Sequence, residues 1–305
     1  MTYAPTAIDL TRITPPDAIE ALSYEALLTA FKERFLDRWA EARAKDLSLP
    51  DYDVQMLETD PAIIVAQAWS YLRLLDRQRV NDTVKALLAP LSSGSNLDNL
   101  VARQNVQRLV VRPATADAPA LMETDAALLR RYLLSFDKAA AGSRDGYLYD
   151  AWTAWPLAGD IRVNGYAVHG RRGDIDIVVS GPDGRLPTDA ELTAVRVAVT
   201  QPHRQPEAVK VTVMKAKRVE YAANLVVEVT PGPDSEILRG EAIKRVREAG
   251  DVRMLIGGEV PDGYLESAGY GPNVIKVRDL SPVTVEPDPY GVPVLTTINV
   301  GVEVR

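Results

Sequence analysis

The segment from Leu57 to Gln107 constrains this chain most, because it predicts one long helix with too many apolar sides to stand alone. Asp60 and Pro61 form a helix start, in which an N-cap residue precedes a proline at the first helical position. The helical pattern then continues to Pro90. Its first half is apolar on nearly every side, whereas a surface helix needs only one apolar stripe. The apolar residues of that half are Ile63, Ile64, Val65, Trp69, Tyr71, Leu72, Leu74 and Leu75.

This helix is either the central helix of the chain's own bundle or a helix that packs against other chains. For the second interpretation, the candidate interface residues are Trp69, Tyr71, Leu72 and Leu75 as apolar contacts and Arg73, Arg77 and Arg79 as polar contacts. Arg73 and Arg77 lie one helical turn apart, and carboxylates at Asp76 and Asp82 are close in sequence. The arginines therefore either pair along the helix or meet carboxylates of a partner, to which a planar guanidinium is well suited.

Short motifs follow one another along the chain in the order typical of a known family. They are Leu72-Arg73, RQRVND over residues 77–82, Gly94, Leu97-Asp98, AGSRDGY over residues 141–147 and PGP over residues 231–233. In this order they resemble the baseplate J-like family, the wedge proteins of contractile phage tails. The resemblance covers about residues 15–280 and is strongest over residues 57–107. It departs from the family at residues 257–260, GGEV, where an arginine is often found.

The resemblance implies a virion structural protein of the bacteriophage tail that acts in tail assembly and is not an enzyme. In this family, two copies join one copy of a second wedge protein through a helical bundle, and six such wedges form a ring around the hub. The implied partners are a second copy of the chain, the second wedge protein, a sheath-initiator-like wedge protein and the central hub. The implied localisation is the virion, in the tail baseplate, after assembly in the host cytoplasm.

Two other functions stay open from the sequence. One is the equivalent wedge component of a contractile bacteriocin or secretion machine. The other belongs to a different class, an uncharacterised hydrolase or ligand-binding domain in the α+β half of the chain. Such a domain would need polar groups that converge in a pocket, and no sequence motif indicates them.

Hydrophobic periodicity predicts an α+β fold, in which an N-terminal helical bundle region precedes mixed α/β domains. The expected segments are an extended arm (1–16), a helical assembly region (17–112), a mixed middle domain (113–170), a ferredoxin-like α+β domain (171–260) and a strand-rich segment (261–305). The proline-containing arm is either a disordered tail or a strap laid on a neighbour. The boundary after residue 112 rests on the sequence RPATADAPA, which is typical of a linker. The ferredoxin-like domain rests on a β-α-β-β-α order between Asp174 and Ala249.

Composition limits the chemistry that this chain of 305 residues can perform. A net charge of −7 argues against a general nucleic-acid surface. We expect no membrane segment, because no apolar run approaches the length of a membrane span, and the first residues do not resemble a signal peptide. The chain has no cysteine and only two histidines, His169 and His203, and it has no phosphate-binding or nucleophile-elbow motif. We therefore predict no catalytic residue, no metal site and no cofactor.

Overall fold

The computed structural model describes residues 14, 16–52, 58–136, 138, 140–232 and 234–305. Apart from Thr14 and Pro16, the predicted N-terminal arm lies outside these described residues. The chain divides into two compact units, residues 1–105 and 106–305. Helices occupy the first unit, and helices with small sheets occupy the second, so the predicted α+β fold class is confirmed.

The described part of the first unit contains three α-helices, α1 (Tyr24–Lys45), α2 (Pro61–Leu87) and α3 (Gly94–Val101), and a 3-10 turn at Ala102–Gln104. Ser23 caps α1 by accepting a hydrogen bond from the N–H of Ala26. The predicted start of α2 is confirmed, because Asp60 accepts a hydrogen bond from the N–H of Ala62. Ser93 is the N-cap of α3. Gly94 follows it with a positive φ of 54°, a left-handed conformation that glycine adopts readily.

Few side chains of the first unit are buried. None lies in α1, and α2 buries only Ile63, Ala66, Ser70 and Asn81. Aromatic side chains connect the helices instead, with the rings of Phe31 and Trp69 5.2 Å apart. All the described core clusters lie in the second unit. The long helices therefore pack on each other through one narrow seam and leave much of their surface open.

The second unit begins with a hairpin and two helices. Strands β1 (Val110–Arg112) and β2 (Leu121–Met122) pair antiparallel, so residues 113–120, the predicted linker, are the hairpin loop. Helices α4 (Asp125–Leu134) and α5 (Arg144–Ala154) follow. Thr124 and Ser143 are their N-caps, and each side chain accepts a backbone N–H of the first turn. The predicted domain limits themselves stay a prediction.

Two three-stranded sheets complete the second unit. The first has the order β3-β4-β5, and the second has the order β7-β6-β8. The strands are β3 (Asp160–Asn164), β4 (Asp174–Ser180), β5 (Lys210–Lys215), β6 (Lys217–Val229), β7 (Val274–Asp279) and β8 (Gly291–Val304). The helices are α6 (Tyr166–His169), α7 (Asp189–Val199), α8 (Ser235–Arg253) and α9 (Tyr264–Gly269), with a 3-10 turn at Pro182–Gly184. One core lies between the first sheet and α5 and α7, and another lies between the second sheet and α8 and α9.

The predicted β-α-β-β-α order is present as β4, α7, β5, β6 and α8, but its strands do not share one sheet. β5 pairs parallel with β4, whereas β6 has β7 on one edge and β8 on the other. Both edges of β6 are thus filled, and no edge remains for the ferredoxin-like pairing with β4. The chain passes from one sheet to the other within a single buried residue, Ala216.

Candidate protein interface

Helix α2 has a buried seam and an exposed apolar stripe on different sides. Ile63, Ala66 and Ser70 are buried at spacings of three and four residues, which is the seam that a packed helix presents to its neighbour. Tyr71, Leu72 and Leu75 are 57%, 61% and 48% exposed. Ile64 and Val65 extend this stripe toward the helix start and are also exposed. We call the stripe formed by Ile64, Val65, Tyr71, Leu72 and Leu75 the α2 stripe.

Trp69 lies between the seam and the α2 stripe. One edge of its ring contacts Phe31 of α1, with 5.2 Å between ring centroids, yet the side chain is 44% exposed. Its predicted role as an interface anchor is therefore shared with packing inside the first unit. An exposed group of large apolar side chains on one helix is typical of a surface that another protein covers.

The three predicted arginines are not equivalent in the structure. Arg77 pairs with Glu20, which precedes α1, at 3.1 Å between a guanidinium nitrogen and a carboxylate oxygen. In the part of the chain that the structure describes, Arg73 and Arg79 form no ion pair. Among the described residues, Arg77 therefore pairs with the segment before α1 and not with Asp76 or Asp82 along the helix. Arg73, Arg77 and Glu20 line an open depression beside the helix.

Asn81 holds the segment before α1 against α2, and the predicted set of site residues does not include it. Its side-chain oxygen accepts the backbone N–H of Glu20 at 3.1 Å, and its side-chain nitrogen donates to the Glu20 carbonyl at 2.9 Å. Asn81 is buried, so these two bonds satisfy a polar group that water does not reach.

The AGSRDGY motif also has a structural explanation. Gly142 has a φ of 76°, and a side-chain carbon there would lie 2.8 Å from Pro206. Ser143 caps α5, and a side-chain carbon at Gly146 would lie 3.0 Å from the guanidinium of Arg204. Gly142 is therefore required by its backbone conformation and Gly146 by space, and Ser143 serves as the N-cap of α5. Gly142 does not end α4, because that helix already has its C-cap at Ser135.

Buried carboxylates in the second unit are held by the chain itself. Glu123 accepts a hydrogen bond from Arg131 at 2.7 Å, and Asp176 accepts one from Arg171 at 2.5 Å. Asp160 accepts the backbone N–H of Ile256 at 2.8 Å, and burial raises the pKa of its carboxyl above the usual value. These pairings are those of structural ion pairs and hydrogen bonds, and they do not favour the hydrolase interpretation.

Within the described ranges, no three His, Asp or Glu side chains come together as a potential metal site. His169 accepts the backbone N–H of Arg171 at 3.1 Å through Nδ1, and His203 is exposed. None of the helices in the described part of the chain has both the length and the apolar character needed to cross a membrane.

Comparisons with known proteins agree with the motif order. Residues 58–115 match the family model of the Baseplate J-like N-terminal domain. Over 282 residues the chain is 27% identical to Baseplate protein J of Escherichia phage P2. This alignment covers 90% of this chain and 91% of that protein. The family match coincides with the segment where the sequence resemblance is strongest, so the resemblance to the baseplate J-like family is confirmed. At a coarse level, both comparisons indicate a structural protein of a phage baseplate.

Proposed function

We propose that this chain is a wedge component of the baseplate of a contractile phage tail and that the α2 stripe is its principal assembly surface. The observation that carries the proposal is the position of the stripe. It lies on α2, which falls entirely within the matched residues 58–115, in the unit whose helices have few buried side chains. A long helix with exposed Tyr71, Leu72 and Leu75 is stabilised when a partner covers it.

The proposed partners are those of the family. Two copies of this chain join one copy of a second wedge protein through a helical bundle, to which α1 and α2 contribute. Six such wedges form a ring around the hub, and a sheath-initiator-like wedge protein joins them there. Apolar contacts from the α2 stripe supply most of the association free energy, and Arg73 and Arg79 supply ionic contacts with carboxylates of the partner.

In this role, the chain acts through its interfaces and not through a catalytic residue. The baseplate rearranges when the tail contracts, and a packed helical bundle with two arrangements is the kind of element that switches in this way. A wedge component of a bacteriocin or secretion machine would use the same surface, and genome context separates these cases from a phage. The proposed location is the tail baseplate of the virion, assembled in the host cytoplasm, without nucleic acid or membrane as a partner.

The test is a double substitution on α2, in which Tyr71→Ala changes the α2 stripe and Arg73→Ala removes a proposed ionic contact beside it. We expect the melting temperature of the isolated chain to change little, because Tyr71 is more than half exposed and Arg73 has no ion pair among the described residues. Binding to the second wedge protein should weaken by about 2 kcal/mol or more, the scale of interface hot spots. The measurements are thermal melting of the purified chain and co-purification with the second wedge protein.

A matched control comes from the second unit. Tyr166 is exposed to the same extent as Tyr71, 57%, and Arg172 lies near its ring. Tyr166→Ala with Arg172→Ala therefore removes the same two side chains elsewhere and should leave wedge formation unchanged. If the α2 variant unfolds while its folded fraction still assembles normally, these side chains stabilise the chain itself and the interface lies elsewhere.

A further inference from the structure

The two three-stranded sheets have four open edges, and three of them carry charges that protect an edge from pairing with another strand. The protecting residues are Asp160 and Arg162 in β3, Lys210 and Lys215 in β5, and Lys276, Arg278 and Asp279 in β7. β8 differs, because it is 14 residues long and uncharged from Gly291 to Val302. Natural proteins rarely leave a long neutral edge strand unprotected, so this edge needs an explanation.

The backbone groups of β8 that face outward can be assigned from three hydrogen bonds. The backbone N–H of Arg305 donates to Val229 of β6, and the carbonyl of Tyr290 accepts from Lys217 of β6. The backbone groups of both residues therefore point inward, toward β6. Gly291 accepts from Gly257 and faces outward. Because inward and outward residues alternate along a strand, and the bulge falls at residue 296, the outward residues near the end are Ile298, Val300 and Val302. Pro293, which has no N–H, also falls on the outward side, as expected at a sheet edge.

These outward groups have no partner within the described part of the chain. After Gly291, no backbone hydrogen bond from another described element reaches the outer edge of β8. Thr297, Asn299 and Gly301, which alternate with the outward residues, are exposed on one face of the sheet. A glycine in the interior of a strand often marks the close approach of another backbone, and a side-chain carbon at Gly301 would meet its nearest atom at 3.6 Å. The glycine is therefore not required by packing within the chain.

We propose that β8 pairs antiparallel with β8 of a second copy of this chain, across a two-fold axis near Val300. In this register, Ile298 of one copy faces Val302 of the other, and Val300 faces its own counterpart. Each outward residue then exchanges both of its backbone hydrogen bonds, as in the hydrogen-bonded pairs of an antiparallel ladder. The two sheets join into one continuous sheet, with α8 on the same face in both copies.

The charge pattern of β8 favours a second copy as the occupant. The only charged residue of the strand, Glu303, lies near one end and pairs with Arg278 at 2.5 Å. An antiparallel partner places Glu303 opposite the neutral Thr297 of the other copy, whereas a parallel partner in register would place it beside another Glu303. A two-fold pairing also closes after two copies and leaves no open-ended array. This surface lies in the second unit, and the inference does not depend on the role proposed for α2.

The experiment uses charge exchange at the two exposed positions that would face each other, Asn299 and Gly301. Asn299→Lys with Gly301→Lys places lysines opposite lysines across the two strands, and Asn299→Glu with Gly301→Glu does the same with carboxylates. We expect the full-length chain to form a dimer in sedimentation velocity, and each double variant to weaken it about tenfold or more. An equimolar mixture of the two variants should restore the dimer. Leu186→Lys with Leu280→Lys gives the same change in charge at exposed sites elsewhere and should have no effect.

A second readout uses the natural absence of cysteine. In the proposed register, Asn299 of one copy lies directly opposite Gly301 of the other, at a separation suited to a disulfide. A mixture of Asn299→Cys and Gly301→Cys chains should therefore cross-link on oxidation far more than either variant alone. A Lys276→Cys variant, on the edge of β7, should not cross-link.

Each other outcome contradicts the proposal. A full-length chain that stays monomeric at about 100 μM, or a dimer that the lysine variant leaves intact, rejects the pairing of β8 with itself. A dimer that is lost only on substitution of the α2 stripe also rejects it, while supporting the function proposed for α2. If the chain is monomeric but the lysine variant loses binding to another baseplate protein, the edge takes a strand from that protein and not from a second copy.

Discussion

Removing two leucines from the α2 stripe should weaken both assembly and the fold, and a matched control variant separates the two effects. Fully burying a leucine side chain contributes about 1.5–3 kcal/mol. Leu72 is 61% exposed and Leu75 is 48% exposed, so about half of that contribution remains for a partner to supply. Leu72→Ala with Leu75→Ala should thus reduce the free energy of association by about 1.5–3 kcal/mol, which is about tenfold or more in the dissociation constant.

The same substitutions remove the share of both side chains that the chain already buries. We expect the free energy of unfolding to fall by about 1.5–3 kcal/mol for this reason, since about half of each side chain is already buried. Leu280 and Leu186, in the second unit, are exposed to nearly the same extents, 62% and 50%. Leu280→Ala with Leu186→Ala is therefore the matched control, which should lose similar stability but no association.

The assay is a titration of each purified variant with the second wedge protein by calorimetry, at a temperature where urea unfolding shows both variants to be folded. The difference between the two double variants isolates the contribution of the α2 stripe. If both variants bind the second wedge protein equally well, the stripe is not the interface, and the reasoning from its exposure is refuted. An equal loss in both would mean that reduced stability alone weakens assembly.

Three further outcomes follow from single groups. Arg131→Ala should lower the free energy of unfolding by about 3–5 kcal/mol in urea titrations, because it leaves the buried carboxylate of Glu123 without its cation. Asn81→Ala should lower the free energy of unfolding by about 1–2 kcal/mol and speed hydrogen exchange at the amide of Glu20, because both hydrogen bonds between these residues are lost. Unchanged exchange at Glu20 would contradict the role of Asn81. A hydrogen bond from Arg185 lowers the pKa of Glu191 from 4.5 to about 2. The ionised Glu191 therefore contributes its full stabilisation above pH 4.5, and this contribution disappears as the pH falls through 2. Glu191→Gln should flatten the loss of stability between those pH values, as followed by melting temperature.

Local chemistry made many helix and strand positions predictable. Asp60 with Pro61 starts α2, and Thr188 with Glu191 forms a capping box at α7, because these interactions join residues close in sequence. The alternation of residues 174–180 likewise predicted β4 at its observed bounds. The family resemblance was recoverable for a similar reason, since ordered motifs are read directly from the chain.

The candidate surface could be predicted only as a set of residues on one helix. Its periodicity marked α2 as apolar on many sides, but could not say which side the chain itself covers. The packing of α1 decides this, since the ring of Phe31 contacts Trp69 and leaves Leu72 exposed. Asn81 was missed as a structural tie because its partner, Glu20, is 61 residues away.

The sequence by itself determined where helices and strands begin, how the chain is ordered and which family it resembles, because these properties depend on neighbouring residues. Only the tertiary structure decided which strands pair. β6 and β8 join Lys217 to Gly291 and Val229 to Val304, and this pairing replaces the expected ferredoxin-like sheet. Strand pairing depends on which distant segments can bury their apolar faces together, and side-chain alternation is the same whichever neighbour a strand receives. For this reason, the open edge of β8 becomes visible only in the folded chain.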